Sequence, residues 1–395
     1  MKTNYLCTAL LYIQASSAAL AFTGIVDRTS FLRQSCSSVL LSTVDEMQSQ
    51  PTGKDKVSAA EGDSSKQIIS YRSMNVYMDE FDVNVPVAVW YPAVGVNVSS
   101  DEASSAMSVR YDHKISVSRI GQLLAGWNFL PGFLKRNYML EPSTSSIRLG
   151  GRGDVIPEKS PAILLAHGYL GSRYDLSHIA ESLAQDGFVC ISPEYPESLA
   201  ASYERLDGLD RSKITKTVID KLVNEELYVQ SKRRGIIGHS LGCGTVANTG
   251  DSSWVRVCIA GFAADIEGSP TMLISSTNDG AVPYERIKDR IPKDFQKLGY
   301  DSPLVSNLSL VGNDESFPQK VAVILDGDDA PNHISFLCDG VNKAMINLLS
   351  PLLPIAQALG IPVLDFDKYK ISQDSESVAK TIKPIVKKFL KDNLL

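Results

Sequence analysis

The spacing of hydrophobic positions changes part-way along the chain. Between Val83 and Tyr91 apolar and polar residues alternate, which predicts a β-strand with one buried face. Farther along, short apolar runs occur between helix-like segments, and such runs are typical of strands buried on both faces. These predicted strands are Ala162–Ala166, Phe188–Ser192, Gly235–Ile237, Val255–Ala260, Thr271–Ser275 and Val321–Leu325.

The segments between these strands predict helices. Leu176, Ile179, Ala180 and Leu183 recur at helical spacing, and the pattern ends at Gly187. A second predicted helix carries its apolar face at Ile214, Val218, Ile219 and Leu222. Because strands and helices alternate, we expect an α/β fold with a mostly parallel central sheet and helices on both faces.

Two segments interrupt this alternation. Residues 103–158 are far too long for an ordinary connection and form an inserted, lid-like segment. Its aromatic residues are Trp127, Phe129, Phe133 and Tyr138. They favour two interpretations equally, a wall or lid that contacts lipid and a surface helix packed on the core.

The second segment, 341–364, is apolar but holds three prolines, which predicts a packed helix pair rather than a membrane span.

The beginning of the chain has the composition of targeting segments. Residues 1–21 combine Lys2, an apolar stretch and a small-x-small end, which predicts a signal peptide. Residues 22–66 are first rich in serine with two arginines and then polar, which indicates a transit-like segment and a disordered linker. This order resembles the bipartite plastid presequence of algae with secondary plastids. Secretion or an endomembrane location is the alternative. The folded domain is then expected over residues 67–395.

Composition narrows the classes of function. The chain has 395 residues, of which 44% are hydrophobic and 21% charged, with a net charge of −6. Basic residues are scattered, so we expect no nucleic-acid partner. The cysteines form neither a C-x-x-C motif nor a cluster with histidine, so we expect no metal and no cofactor. Cys190, Cys243 and Cys258 are expected to be buried free thiols.

One pentapeptide predicts a nucleophilic residue. The sequence Gly238-His239-Ser240-Leu241-Gly242 follows the predicted strand Gly235–Ile237 and precedes a predicted helix. A G-x-S-x-G motif in this setting predicts a nucleophile elbow, a strained turn that exposes a serine hydroxyl above the sheet. Ser240 is therefore the candidate nucleophile.

A nucleophilic serine needs a base and an acid that orients the base. In elbow-containing folds the order is serine, acid, histidine, and only His333 follows Ser240. Asp279, just after the strand Thr271–Ser275, is the favoured acid, and Asp265 is the alternative. The remaining histidines are expected to be structural: His113, His167, His178 and His239.

Two backbone N–H groups are needed to stabilise an oxyanion. One is expected from Leu241, the residue after the nucleophile. The other is expected from Tyr169, because the loop after the strand Ala162–Ala166 reads His167-Gly168-Tyr169-Leu170-Gly171.

These motifs together resemble the α/β-hydrolase superfamily. Two branches share local sequence with this chain, the platelet-activating-factor acetylhydrolases and the chlorophyllases. Trp90-Tyr91-Pro92-Ala93 resembles the acetylhydrolases, and three further segments resemble both branches: His167-Gly168-Tyr169-Leu170, Gly187-Phe188-Val189 and Pro193-Glu194-Tyr195. Leu241 stands where chlorophyllases usually have arginine, and Phe262 stands where both branches usually have the acid. An acid at Asp279 resembles the dienelactone-hydrolase arrangement.

The resemblance implies a serine carboxylic-ester hydrolase that needs no metal. The apolar segments 119–139 and 341–364 predict a small-molecule substrate that is a lipophilic, long-chain or isoprenoid ester, and the resemblance puts chlorophyll first. Peripheral contact with a membrane is expected. A phospholipid esterase like the platelet-activating-factor acetylhydrolases is the alternative substrate class. A non-catalytic ligand receptor and an acyltransferase are the alternative functions.

Overall fold

The structure is a computed structural model. It describes residues 68–93, 109–125, 135–151, 154–156, 159–200, 203–226, 232–263, 267–306, 316–350 and 374–395. Several expectations lie outside these residues: the targeting segments 1–66, the aromatic residues Trp127, Phe129 and Phe133, the alternative acid Asp265, and residues 351–364. The chain divides into two compact units, 1–64 with 347–363 and 65–346 with 364–395. Nearly all described residues belong to the second unit.

Strands in the described residues are numbered in chain order. They are β1 (Ile69–Met78), β2 (Val83–Pro92), β3 (Tyr111–Ser116), β4 (Lys135–Leu140), β5 (Ile147–Leu149), β6 (Ala162–Ala166), β7 (Val189–Pro193), β8 (Arg234–His239), β9 (Val255–Ile259), β10 (Thr271–Ser276), β11 (Gln296–Gly299) and β12 (Lys320–Leu325). Every strand predicted from the apolar runs is confirmed.

Helices occupy most connections between these strands. They are α1 (Val117–Ala125), α2 (Ser177–Gln185), α3 (Arg211–Thr217), α4 (Gly242–Ala247), α5 (Tyr284–Ile287), α6 (Pro303–Ser306), α7 (Asp339–Leu349) and α8 (Ser375–Leu394). A π-helix, Val218–Glu226, continues α3, and a short 3₁₀ helix covers His333–Phe336. Among the described helices none is long and apolar enough to cross a membrane.

Ten of the strands form one sheet in the order β11-β12-β10-β9-β8-β6-β7-β2-β1-β5. The pairings of β2 with β1 and with β7 are antiparallel, and the other pairings in this sheet are parallel. Strands β6, β7 and β9 are buried along their whole length, as expected for strands with both faces covered. Because parallel strands share one carboxyl edge, the loops that follow β6, β8, β10 and β12 lie at the same edge.

The inserted segment combines two structures. Its strands β3 and β4 form a separate antiparallel pair, with α1 between them in sequence. Its third strand, β5, joins the edge of the main sheet by parallel pairing with β1, which the sequence analysis did not anticipate. The amide N–H of Ser116 donates to the carbonyl oxygen of Leu199 at 3.2 Å, so the start of α1 is attached to the loop after β7.

Candidate active site

Ser240 occupies the turn between β8 and α4. Its φ of +53° lies in the left-handed region that a side chain rarely adopts. Two backbone bonds fix this conformation: Ser240 N–H donates to the carbonyl oxygen of Ile259, and Cys243 N–H donates to that of Ser240, both at 2.9 Å. Such backbone strain persists only when the surroundings impose it, and it is the defining feature of a nucleophile elbow.

The two glycines of the elbow are required by close contacts. A Cβ atom on Gly238 would collide with the backbone of Gly242. A Cβ atom on Gly242 would collide with the carbonyl oxygen of Ala166 at the end of β6. The turn is therefore as tight as the motif predicts, and it packs against the end of β6.

His333 and Asp279 are in direct contact. The Nδ1 atom of His333 lies 2.9 Å from Oδ2 and 3.0 Å from Oδ1 of Asp279. Asp279 is fully buried and His333 is only 7% exposed. The structure thus brings together the base and the acid that the sequence analysis favoured. Phe262, which follows β9 at the position where the two resembling branches usually have the acid, is half-buried and packs against the core.

The surroundings of Asp279 keep its carboxylate ionised. Burial raises its pKa, but His333 and the N–H groups of Val282 and Ala281 outweigh that effect and hold the pKa below its usual range. Both N–H groups donate to Oδ1 at 2.7 Å. An ionised carboxylate can only accept, so Nδ1 of His333 carries the proton and donates it to Asp279. In the tautomer that carries its proton on Nδ1, the lone pair is on Nε2, which is the atom able to act as a base.

Asparagine side chains hold the two loops in place. The Nδ2 group of Asn278 donates to the carbonyl oxygens of Gly327 at 3.0 Å and Asp328 at 3.1 Å, which joins the acid-bearing loop to the histidine-bearing loop. The side chain of Asn332 caps the 3₁₀ turn by accepting from His333 N–H. Neither asparagine was identified from sequence, although Asn278 directly precedes the acid.

His239 connects the elbow to the histidine-bearing loop. Its Nε2 atom donates to the backbone carbonyl oxygen of His333 at 3.0 Å, and the two ring centroids are 4.8 Å apart. Complete burial lowers the pKa of His239 to about 3, so the ring stays neutral. The residue next to the serine therefore supports the backbone of the base, which is the structural role expected of it.

The loop after β6 lies beside the serine. A Cβ atom on Gly168 would lie 3.2 Å from the Cβ atom of Ser240. Tyr169 follows and is 45% exposed, although its hydroxyl donates to the carbonyl oxygen of Leu123 in α1 at 2.6 Å. Among the described residues, the N–H groups of Tyr169 and Leu241 have no hydrogen-bond acceptor. Both groups are free to bind an oxyanion.

The order of the strands in the main sheet and the position of the serine elbow together identify the fold. Strands β1, β2, β7, β6, β8, β9, β10 and β12 are consecutive neighbours, the second is antiparallel, and the serine elbow follows β8. The chain has the α/β-hydrolase fold. No protein-family model and no curated protein sequence matches it.

Several solved structures are similar to this chain. A ferulic acid esterase from Streptomyces cinnamoneus is 14% identical, with 85% of this chain and 92% of that chain covered at a TM-score of 0.47. An esterase from Pyrococcus furiosus is 11% identical, with coverages of 80% and 92% and a TM-score of 0.36. A dienelactone hydrolase-like promiscuous phosphotriesterase from metagenomic libraries is 12% identical, with coverages of 82% and 99% and a TM-score of 0.39. These similarities are too distant to transfer an activity.

The remaining candidate residues are buried. His113, His167 and His178 are inaccessible, and Cys190, Cys243, Cys258 and Cys338 are buried free thiols. Within the described ranges no group of three or more His, Cys, Asp or Glu side chains is arranged to hold a metal ion. Arg211, which contacts the loop after β6, was not identified from sequence, because nothing in its neighbourhood marks it as part of a site.

Proposed function

We propose that this chain is a serine carboxylic-ester hydrolase with Ser240 as nucleophile, His333 as base and Asp279 as the acid that orients the base. One observation carries the proposal. Ser240 at φ +53° directly follows His239, whose Nε2 donates to the backbone carbonyl oxygen of His333, and Nδ1 of His333 is bound to a buried, ionised carboxylate. A serine hydroxyl is a weak nucleophile until a neighbouring base removes its proton, and a neutral histidine at this position supplies that base.

Acylation begins when the Ser240 hydroxyl oxygen attacks the ester carbonyl carbon and Nε2 of His333 takes the hydroxyl proton. The carbonyl π-bond electrons move onto oxygen, and the resulting oxyanion accepts from the N–H groups of Leu241 and Tyr169. Such preorganised donors are worth about two to three powers of ten in rate. The buried Asp279 carboxylate stabilises the imidazolium by accepting from its Nδ1–H.

The intermediate collapses when the carbonyl re-forms and the bond to the alcohol oxygen breaks. His333 gives its Nε2 proton to the departing alkoxide, which leaves as the alcohol. Water then attacks the acyl-enzyme while His333 takes its proton. When this second intermediate collapses, the acid is released and Ser240 recovers its hydroxyl proton from His333.

Chlorophyll is the specific substrate that we propose, with chlorophyllide and phytol as products. The sequence likeness to chlorophyllases and the plastid-type presequence support this choice. A phospholipid ester of the type cleaved by platelet-activating-factor acetylhydrolases is the second substrate class, because the same segments of sequence also resemble that branch. The hydrogen bond from Tyr169 to Leu123 supports a wall of the acyl site made by α1.

The test is an activity assay on the full chain and on Ser240→Ala. Detergent-solubilised chlorophyll is incubated with each protein, and chlorophyllide is measured by chromatography beside hydrolysis of a simple acetate ester. Chlorophyllide from the wild type alone supports both the chemistry and the substrate. Acetate hydrolysis without chlorophyllide retains the chemistry and redirects the substrate to phospholipid esters. Equal activity in Ser240→Ala contradicts the mechanism.

A further inference from the structure

The peptide bond between Gly168 and Tyr169 is held by its carbonyl oxygen. Three donors converge on that oxygen: Nδ1 of His167 at 2.8 Å, the N–H of Gly171 at 3.3 Å and Nη2 of Arg211 at 3.4 Å. In a planar trans peptide the C=O and N–H bonds point in opposite directions. Donors that fix the Gly168 carbonyl therefore also fix the direction of the Tyr169 N–H, which is the proposed oxyanion donor.

The ring of His167 has one protonation state that fits its contacts. The N–H of Tyr195 donates to Nε2 of His167 at 2.9 Å, so Nε2 is an acceptor and carries no proton. The proton is on Nδ1, where it is donated to the Gly168 carbonyl oxygen. Complete burial holds the pKa of His167 well below its usual value, so this tautomer persists throughout the neutral range.

Arg211 connects the loop after β6 to three other parts of the site. Its Nη1 group donates to the carbonyl oxygen of His167 at 2.8 Å and to the hydroxyl of Thr245 in α4 at 3.3 Å. Its Nε group donates to the carboxylate of Glu197 at 3.1 Å, and the guanidinium lies 4.4 Å from the ring centroid of Tyr195. The planar fork of arginine makes these contacts simultaneously, which a lysine ammonium cannot do.

The backbone after Tyr169 needs this support. Leu170 has a φ of +60°, which is unfavourable for a residue with a side chain. Its N–H donates to the carbonyl oxygen of Glu197 at 3.2 Å, and the Glu197 side chain is bound to Arg211. Arg211 also stands at the first position of α3, where the helix dipole disfavours a cation. The contacts of Arg211 therefore support the loop after β6, whereas its position at the start of α3 does not stabilise the helix.

We propose that Arg211 and His167 are positioning residues of the oxyanion hole, holding the Gly168–Tyr169 peptide so that the Tyr169 N–H faces the oxyanion. This inference rests on the proposed ester hydrolysis. The interaction that they support forms only as negative charge develops on the substrate oxygen, so their loss lowers kcat and leaves KM nearly unchanged.

The test compares full-length wild type, Arg211→Met and Arg211→Lys on an acetate ester. Active sites are counted by labelling to completion with a fluorophosphonate, and kcat is expressed per labelled site. We expect Arg211→Met to lose about tenfold to a hundredfold in kcat, with KM within about twofold. We expect an alkyl trifluoromethyl ketone, which forms an oxyanion on the serine, to bind more weakly by the same factor. Arg211→Lys, which keeps the charge but not the fork, is expected to lie between the two.

Arg72→Met is the matched control, since Arg72 also lies over a tyrosine ring, 5.0 Å from the centroid of Tyr91, on β1. We expect wild-type kcat per site from this control. Wild-type kcat and ketone affinity in both Arg211 variants would overturn the positioning role alone, as would fewer labelled sites with normal kcat per site. Absence of labelling and turnover in the wild type would instead overturn the ester hydrolase and this role with it.

Discussion

Nδ1 of His333 contacts both carboxylate oxygens of Asp279, although the two residues are 54 positions apart in the chain. The contact forms because β10 and β12 are parallel neighbours whose carboxyl ends meet at one edge of the sheet. The amide of Asn278 then ties the two loops together. The geometry thus follows from the order of the strands and not from any local motif.

Replacing Asp279 with asparagine tests this contact. An amide can donate to Nδ1 and favour the wrong imidazole tautomer, so we expect kcat to fall by about 10⁴ while the fold is retained. Asp329→Asn is the control, because Asp329 is an exposed carboxylate four residues before His333. The measurement is ester hydrolysis per correctly folded molecule. Equal activity of both variants would contradict the assigned role of Asp279.

A pair of glycine substitutions tests the tightness of the elbow. Gly242→Ala places a methyl group against the Ala166 carbonyl oxygen, and we expect a lower melting temperature and lost activity. Gly244→Ala adds the same methyl group within α4, where nothing lies within 4 Å. Alanine is the better helix former, so this variant is expected to be stabilised by up to about 1 kcal/mol. Thermal unfolding distinguishes the two, and similar behaviour would contradict the described turn.

Tyr169→Phe tests whether α1 lines the acyl site. The change removes the hydroxyl bound to Leu123 but keeps the backbone N–H, so we expect kcat on an acetate ester to remain within about twofold. KM for long-chain esters is expected to rise, because α1 loses its attachment to the loop. Tyr300→Phe, at an exposed tyrosine, is the control. An unchanged chain-length profile would leave α1 as a surface helix packed on the core.

Asp175 makes the stability of the protein depend on pH. Its Oδ1 accepts from the N–H of Ser172 at 2.8 Å and from the Ser172 hydroxyl at 3.2 Å. Burial raises its pKa to about 7, Glu194 adds to the rise, and Arg211 opposes it. Between about pH 4 and pH 7 the folded state therefore holds a proton that the unfolded chain has released. The stability that this proton contributes is fully present below about pH 4 and is lost as pH rises through about 7.

Asp175→Asn keeps the accepting oxygen and removes the titration. Relative to wild type, we expect the variant to become more stable as pH rises from about 5 to about 8, by up to about 1.4 kcal/mol per pH unit below pH 7. The measurement is the free energy of unfolding in urea at several pH values. Asp301→Asn, an exposed carboxylate, is the control. Parallel pH profiles for wild type and Asp175→Asn would contradict this assignment.

The sequence predicts the buried strands and the candidate nucleophile because each has a strong local signal, whereas it predicts the candidate base from chain order. Apolar runs such as Ala162–Ala166 identify the strands, and the elbow motif and chain order identify Ser240 and His333. Strands β5 and β11 are missed because they are only three and four residues long, too short for a periodic pattern, so only their pairing partners define them. Arg211 is missed because its role depends on contacts with residues 34 to 44 positions away.

The most direct test of the central claim is to identify the residue that reacts with a fluorophosphonate. The full chain and Ser240→Ala are treated with the probe, and intact mass and peptide mapping locate the adduct. We predict one adduct per wild-type molecule on the peptide containing Ser240, loss of ester hydrolysis in proportion to labelling, and no adduct in Ser240→Ala. A wild type that stays unlabelled, or an adduct that persists in Ser240→Ala, would contradict the account.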